Sequence, residues 1–384
     1  MQKNKSINTL HVDIEGGFGG SARSLFEIVK LLKKASYNPY IIYAKAGPNK
    51  ERYESINVEA ELFPEFFTFV PRKIKSLKNF IFSLPKIKNS FTLAKKIEKE
   101  VNNREIDVIH LNYEGLFATC FWLRVLGVKT PVIMHSRAIM PMDNLFTRWI
   151  VRTISRNASF VFFISDNEKD VFKGINPKFE NYEILFNISS AKTIEAPNWE
   201  SNEVVYMGNL NYSKGADRLV DVANELKLLN SKLKIKVYGE DRQGKGFEGK
   251  IRSKIKELDI SDYIELCGHT KVPYEIMGKS FATIRPSREN DPWGRDLIES
   301  TVIGIPVLAT GSYGGVVEDS KTGYLFDSFD AKEMAEKLEG LKSNKEIYST
   351  VYTNSVLRGK EKFSGVDQIE KIKNVIDNLL ESQL

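Results

Sequence analysis

Residues 285–299 read Arg285-Pro-Ser-Arg288-Glu289-Asn-Asp291-Pro292-Trp293-Gly294-Arg295-Asp296-Leu-Ile-Glu299. An apolar run at 282–286 stops in a loop punctuated by Pro and Gly, and an apolar-periodic helix follows. Strand, loop and helix in this order make a parallel α/β unit, with charges crowded at the carboxyl end of the strand, where open α/β sheets take ligands. Pro292, Trp293 and Gly294 set the turn. The helix behind them turns unsatisfied N–H groups and a positive dipole end toward the loop, which suits a diphosphate. Asp291 and Glu299 then stand at the two ends of one pocket as acceptors for sugar hydroxyls. The plainer alternative is a solvated salt-bridge loop of Arg288, Glu289, Arg295 and Asp296.

Working outward, similar runs rich in β-branched and aromatic residues recur at 9–14, 39–44, 108–112, 131–135, 160–165, 204–207, 234–239 and 306–310, with helical stretches between them. This alternation predicts parallel sheets covered on both faces, so the class is α/β. A chain of 384 residues exceeds what one core holds. The pattern restarts near 203, after a polar stretch at 189–202 that reads as a linker. The expected domains are 1–190 and 203–365. A closing helix over 366–384 presents Ile369, Ile372, Val375, Ile376 and Leu379 on one face, to pack on a domain. Both halves open alike, with a strand running into a small-residue loop and a helix, at 11–21 and at 204–215. Two Rossmann-like, doubly wound domains facing a central cleft are the architecture this suggests.

Composition excludes several classes. Hydrophobic content of 42% with 28% charged residues is ordinary for a soluble globular chain, and no run approaches the roughly 18 apolar residues of a membrane span. The N-terminus passes from Lys3 and Lys5 to Asp13 too soon for a signal-peptide core, and the expected location is cytoplasmic. Cys120 and Cys267 are too few for a disulfide framework and read as core thiols. Histidines 11, 110, 135 and 269 lack metal-ligand spacing, and no Asp-x-Asp occurs, so no metal is expected.

Two further stretches invite chemistry. At 16–21 the chain reads GGFGGS, where absent side chains let backbone N–H groups approach a ligand, making Gly17, Gly19 and Gly20 candidate contacts. Read as Gly17-x-Gly19-x-x-Ala22, it also fits a dinucleotide fingerprint. The next strand, however, ends Ile42-Tyr43-Ala44-Lys45 without the acid that holds a ribose. A purely structural turn is the other alternative. Residues 63–99 interleave Phe66, Phe67, Phe80 and Phe91 with many lysines, as at an anionic membrane surface. A core helix with a solvated lysine face fits equally, and no nucleic-acid motif accompanies the charge.

The stretch at 291–299, followed by GIPVLAT at 304–310 and GGVVEDSKTG at 314–323, resembles the acid-x7-Glu region of the large retaining GT-B glycosyltransferase family usually numbered four. GNLNYSKG at 208–215 extends the resemblance over most of the second half. The first half is similar more loosely, through the glycine-rich loop, residues 107–110 and His135. The resemblance implies that Glu299 holds the donor ribose and that Asp291, where the family more often has Glu, contacts the transferred sugar. It implies that Lys214 meets the diphosphate. Asn209 stands where the family has Arg, so Arg285, Arg288 or Arg295 is expected to supply the missing charge. His135 resembles the residue that contacts the donor sugar. Catalytic roles are thus expected of His135, Asp291 and Lys214. Donor contacts are expected of these loops, from Gly17, Gly19 and Gly20 and from Gly208, Asn209, Lys214, Gly239, Arg288, Pro292, Trp293, Gly294, Arg295 and Glu299. His110, Glu114, Ser165 and Asn187 are weaker strand-end candidates.

The implied activity is metal-independent transfer with retention from a nucleotide-diphosphate sugar, a UDP-sugar above all, with no other cofactor. A glycan or lipid-linked acceptor and bacterial surface-polysaccharide synthesis are expected from the resemblance together with the basic aromatic stretch, which also suggests a peripheral position at the inner face of the membrane through residues 63–99. Two alternatives stay open. A sugar-nucleotide epimerase of the same fold would act on donor alone. A non-catalytic binding subunit is suggested by Asn209 and Asp291.

Overall fold

Every apolar run named above forms a strand in a computed structural model of the chain, which describes residues 6–17, 19–65, 77–241, 246–288 and 294–382, with side chains from residue 88 in the long helix that starts at 77. The chain divides into two units, Met1–Ile188 with Gly365–Leu384, and Ser189–Ser364. The polar stretch 189–202, read above as a linker before a domain starting at 203, is therefore part of the second unit.

The first unit runs β1 (Asn8–Asp13), α1 (Gly20–Lys34), β2 (Asn38–Tyr43), α2 (Asn49–Glu54), β3 (Glu59–Leu62), α3 (Leu77–Arg104), β4 (Val108–Leu111), α4 (Phe117–Val125), β5 (Val132–Ser136), α5 (Leu145–Asn157), β6 (Phe160–Phe163), α6 (Asp166–Ile175) and β7 (Tyr182–Ile184). The second runs β8 (Glu203–Met207), α7 (Arg218–Leu228), β9 (Lys234–Tyr238), α8 (Phe247–Glu257), β10 (Ile264–Gly268), α9 (Pro273–Met277), β11 (Ala282–Arg285), α10 (Arg295–Ile303), β12 (Val307–Thr310), β13 (Gly323–Phe326), α11 (Ala331–Ser343) and α12 (Lys345–Phe363). The last helix, α13 (Val366–Glu381), returns to the first unit.

Both sheets are parallel throughout, in the orders β3-β2-β1-β4-β5-β6-β7 and β10-β9-β8-β11-β12-β13. Each order reverses once, between β1 and β4 and between β8 and β11. These two points are where the chain leaves open crevices at the carboxyl ends of its strands.

In the first unit one face of the sheet packs Leu10, Val12, Ile109, Leu111 and Met134 against α3, α4 and α5. The other face packs Val108, Ile133 and Phe162 against Ile28 and Leu32 of α1 and Ile372, Val375 and Ile376 of α13. The apolar stripe predicted at the C-terminus is thus what closes this layer, at roughly 1.5–3 kcal/mol for each side chain fully buried. Cys120 lies in the core, where burial pushes its thiol up to about 12. Cys267, also expected inside, is instead partly exposed on the edge strand β10, where one flank of the sheet is open.

Candidate functional site

The two stretches singled out in the second half follow the two strands at its reversal point, and the structure ties them together. The loop after β8 turns at Asn211, whose Oδ1 accepts from Lys214 N at 2.8 Å. Ser213 O accepts from Arg288 N at 2.8 Å, and Arg218 Nη1 donates to Ser287 O at 2.9 Å. Arg288 grips Asp217 with both terminal nitrogens at 2.7 Å and stacks over the Tyr212 ring. Gly215 is left-handed, with φ +70, and a Cβ there would overlap the Pro286 carbonyl. Only glycine lets the loops close on each other.

Gly239, just after β9, sits under the same loop. A Cβ on it would overlap the Gly208 carbonyl, while Gly208 N donates to Tyr238 O at 2.9 Å. Lys214 reaches back over the end of β8, with its Nζ 3.5 Å from where a Cβ of Gly208 would lie. An ammonium is thereby held beside glycine backbone at the carboxyl end of the central strand.

α10 begins at Gly294, which is extended, with no side-chain cap among the described residues. Its first N–H groups have no helical carbonyl to meet, and the helix dipole adds positive potential there. Arg285, at the end of β11, pairs with Asp296 in the first turn, both buried. A Cβ on Gly294 would overlap that guanidinium. One turn on, Glu299 Oε1 meets Arg295 Nη2 at 3.1 Å and accepts from Tyr274 Oη of α9 at 3.2 Å. Gly304, left-handed at φ +100, ends the helix.

Gly208, Asn209, Lys214, Gly239, Arg288, Gly294, Arg295 and Glu299 therefore belong to one set of loops around the β8/β11 crevice. Asp291, Pro292, Trp293 and Glu289 lie outside the described residues. The expectation that Arg285, Arg288 or Arg295 replaces the absent arginine at 209 meets a constraint, since each already pairs with a carboxylate, Asp296, Asp217 and Glu299 respectively.

Gly17, Gly19, Gly20 and His135 belong to the first unit. Gly17 has φ +107 and its carbonyl is held by Arg52, while Gly16 O accepts from Asn49 N at 3.1 Å. The front of the loop is thus fastened to the segment after β2, the structural role named as the alternative. Gly19 caps α1, and Gly20 begins it, at the β1/β4 reversal.

Around that reversal Arg137 forms a hub. It donates to Asn112 Oδ1 at 2.8 Å and Asn187 Oδ1 at 3.0 Å, and lies 3.1 Å from His135 Nδ1. Its backbone N–H donates to Glu114 Oε2 at 2.8 Å. Asn112 in turn donates to Ser21 O at 3.3 Å, anchoring the start of α1. Burial pushes the Asp13 carboxyl up to about 6 and that of Glu114 up to about 7, each partly offset by hydrogen bonds that favour the charged form.

His135 lies one residue before the end of β5, but its ring is buried, 5.5 Å from that of His110, whose Nδ1 lies 3.0 Å from His11 Nδ1. Burial first, then the Arg137 charge and the neighbouring His110, holds His135 well below the ordinary range, so it is neutral at pH 7. Sequence reasoning missed Arg137, Asn112 and Tyr274. The first two sit one residue past β5 and β4, and a strand end, the feature from which Ser165 and Asn187 were picked, was the available signal.

Among the described residues no group of three or more His, Cys, Asp or Glu is placed to hold a metal. No described helix is long and apolar enough to cross a membrane.

A pair of parallel, singly reversed sheets with glycine loops and a helix N-terminus at the second crevice is the architecture of GT-B glycosyltransferases. The chain belongs to this class: residues 188–355 match the model of glycosyl transferases group 1, and residues 18–185 match that of glycosyltransferase family 4. Among relatives, an uncharacterised 42.6 kDa protein of the cps region of Klebsiella pneumoniae is 24% identical over 68% of this chain and 74% of its own. A poly(ribitol-phosphate) α-N-acetylglucosaminyltransferase of Staphylococcus aureus is 25% identical over 51% of this chain and 40% of its own. Among solved structures, Anabaena HepE in complex with UDP and glucose superposes with a TM-score of 0.76 at 18% identity, over 97% of this chain and 99% of that one.

Proposed function

We propose that this glycosyltransferase moves a sugar from a UDP-sugar to a glycan or lipid-linked acceptor, with retention and without a metal. The observation that carries the proposal is the joining of the 208–218 loop to residues 286–288 at the end of β11, which places Lys214 at the same β8/β11 reversal from which α10 and Glu299 follow. In this scheme the diphosphate lies against Lys214 and the first N–H groups of α10. These donors stabilise charge as it grows on the leaving oxygen, the term that dominates such reactions. Glu299 accepts from the ribose hydroxyls, held in aim by Arg295 and Tyr274. By the resemblance, Asp291 contacts the transferred sugar, and His135, a neutral imidazole in the first unit, is a further candidate for a sugar contact. The proposal offers no protein nucleophile, so retention would follow from attack on the face the leaving group vacates.

HepE and a Staphylococcus aureus TarM variant were both solved with UDP, which favours uridine. The Staphylococcus aureus relative acts on poly(ribitol phosphate) and another is a capsular polysaccharide glycosyltransferase, CapM, which favours a surface-polymer acceptor. The test is NMR of the product formed from UDP-sugars and glycan acceptors. The expected product keeps the donor's anomeric configuration and requires acceptor. A changed donor formed without acceptor would point to an epimerase, and inverted product would remove the retaining scheme.

A further inference from the structure

We propose that the face made by α4 and α5 docks the first unit on an anionic phospholipid bilayer; this goes beyond the transfer reaction and does not depend on it. α5 is two-sided. Thr147, Ile150, Val151 and Ile154 enter the core, whereas Leu145, Arg148, Trp149, Arg152 and Arg156 follow one another along the opposite side at helical spacing. With Phe117, Phe121 and Trp122 of α4 they line an open groove of about 650 Å³. Leu145 is 78% exposed, Trp149 42% and Phe121 40%, and Met142, just before α5, is 51% exposed. Such a cluster of large apolar side chains turned to water marks a contact surface.

Charge selects the occupant. From 117 to 157 the basic residues are Arg124, Lys129, Arg137, Arg148, Arg152 and Arg156, against the single acid Asp143. Arg148, Arg152 and Arg156 have no carboxylate partner among the described residues. Their guanidinium groups match lipid phosphates, while Leu145, Met142 and Phe121 suit acyl chains and have no counterpart in a hydroxylated glycan. Trp149, held edge-on by Phe117 with ring centroids 4.8 Å apart, has the amphipathic ring that settles at headgroup level. The basic and aromatic stretch noted at 63–99 flanks the same groove at its described end. Phe91 packs on Trp122 with centroids 5.2 Å apart, and Lys95 lies over Phe91. Deeper in α3, Leu93, Ala94 and Ile97 are core residues, so that end of the stretch is not itself a lipid-facing helix.

The test is flotation of the full chain with vesicles of phosphatidylcholine alone or mixed with phosphatidylglycerol. Brominated lipids serve in parallel as quenchers of tryptophan fluorescence. Binding is expected only to the mixed vesicles, with quenching, and weaker in high salt. The variant R148Q/R152Q/R156Q should bind on the order of a hundred-fold more weakly, at about 1 kcal/mol per basic residue. Leu145→Glu, at an exposed position that folding does not use, should lose binding and quenching while melting as wild type does. Absence of binding to mixed vesicles, or binding that neither variant weakens, overturns the proposal. So does a fluorescence shift with soluble heparin but not with vesicles, which would assign the groove to an anionic glycan. Nucleotide binding by the second unit is read separately and is unaffected by either result.

Discussion

Arg295 and Glu299 stand one turn apart on α10, their side chains 14% and 6% exposed, with Nη2 and Oε1 3.1 Å apart. The pair fixes the carboxylate that the proposed scheme turns to the donor ribose, and Tyr274 fixes it from the side. Removing the carboxylate takes this ion pair from the half-buried Arg295 and this acceptor from Tyr274, so Glu299→Ala is expected to cost about 3 kcal/mol of stability. Glu299→Gln keeps an acceptor for Tyr274 and should melt much closer to wild type, yet lose most nucleotide affinity. Calorimetric titration of both variants checks the separation of the two effects.

Glycine is demanded at two points where the loops close. Gly239→Ala drives a Cβ into the Gly208 carbonyl, and Gly215→Ala adds a left-handed backbone to an overlap with Pro286. Each is expected to lose at least about 2 kcal/mol in chemical denaturation and to weaken nucleotide binding. Gly340, inside α11 with open space around it, is the control. Gly340→Ala should gain up to about 1 kcal/mol.

The acid Glu114 predicts a pH dependence of definite sign. Its ordinary value is 4.5 and burial raises it in the folded protein to about 7. The native state therefore holds the proton more tightly, and stability falls as pH rises from 4.5 through 7. Glu114→Gln keeps the acceptor for Arg137 N and removes the titration. Relative to wild type it should gain stability across that window, by about 3 kcal/mol at most, and match it below pH 4. Denaturation of both proteins at several pH values checks this.

The absent arginine at 209 is a further handle. Arg285, Arg288 and Arg295 are each matched by a carboxylate, and Lys214 is the loop's charged residue in the proposed scheme. Asn209→Arg is expected to raise affinity for a nucleoside diphosphate on the order of ten-fold, the worth of one charge-assisted hydrogen bond. Unchanged affinity would mean that residue 209 does not face the phosphates.

Much of this was legible before any coordinates. The nine strands expected from apolar runs all form, because central strands of a parallel sheet are covered on both faces and read as continuous hydrophobic segments. The four that were not expected, β3, β7, β10 and β13, are the edge strands of their sheets. Their sequences, EAEL, YEI, IELCG and GYLF, are short or mixed, since one flank meets water or loop. In the site, glycines and charges flanking strands were visible as local pattern. The Arg288–Asp217 and Glu299–Tyr274 contacts were not, since each joins residues far apart in sequence that only the sheet order brings together. His135 was legible as a strand end, but its burial beside His110 depends on neighbouring strands and could not be read from one.

The most direct test of the central claim is a thermal-shift comparison of wild type and Glu299→Gln with UDP, GDP, ADP, dTDP and CMP. A ligand bound only by the native state at a hundred times its Kd stabilises by about 2.7 kcal/mol. The account predicts that UDP raises the melting temperature of wild type and leaves that of Glu299→Gln nearly unmoved. Stabilisation of neither protein by any nucleotide, or equal stabilisation of both by UDP, would contradict a donor site built on the 208–218 loop and α10.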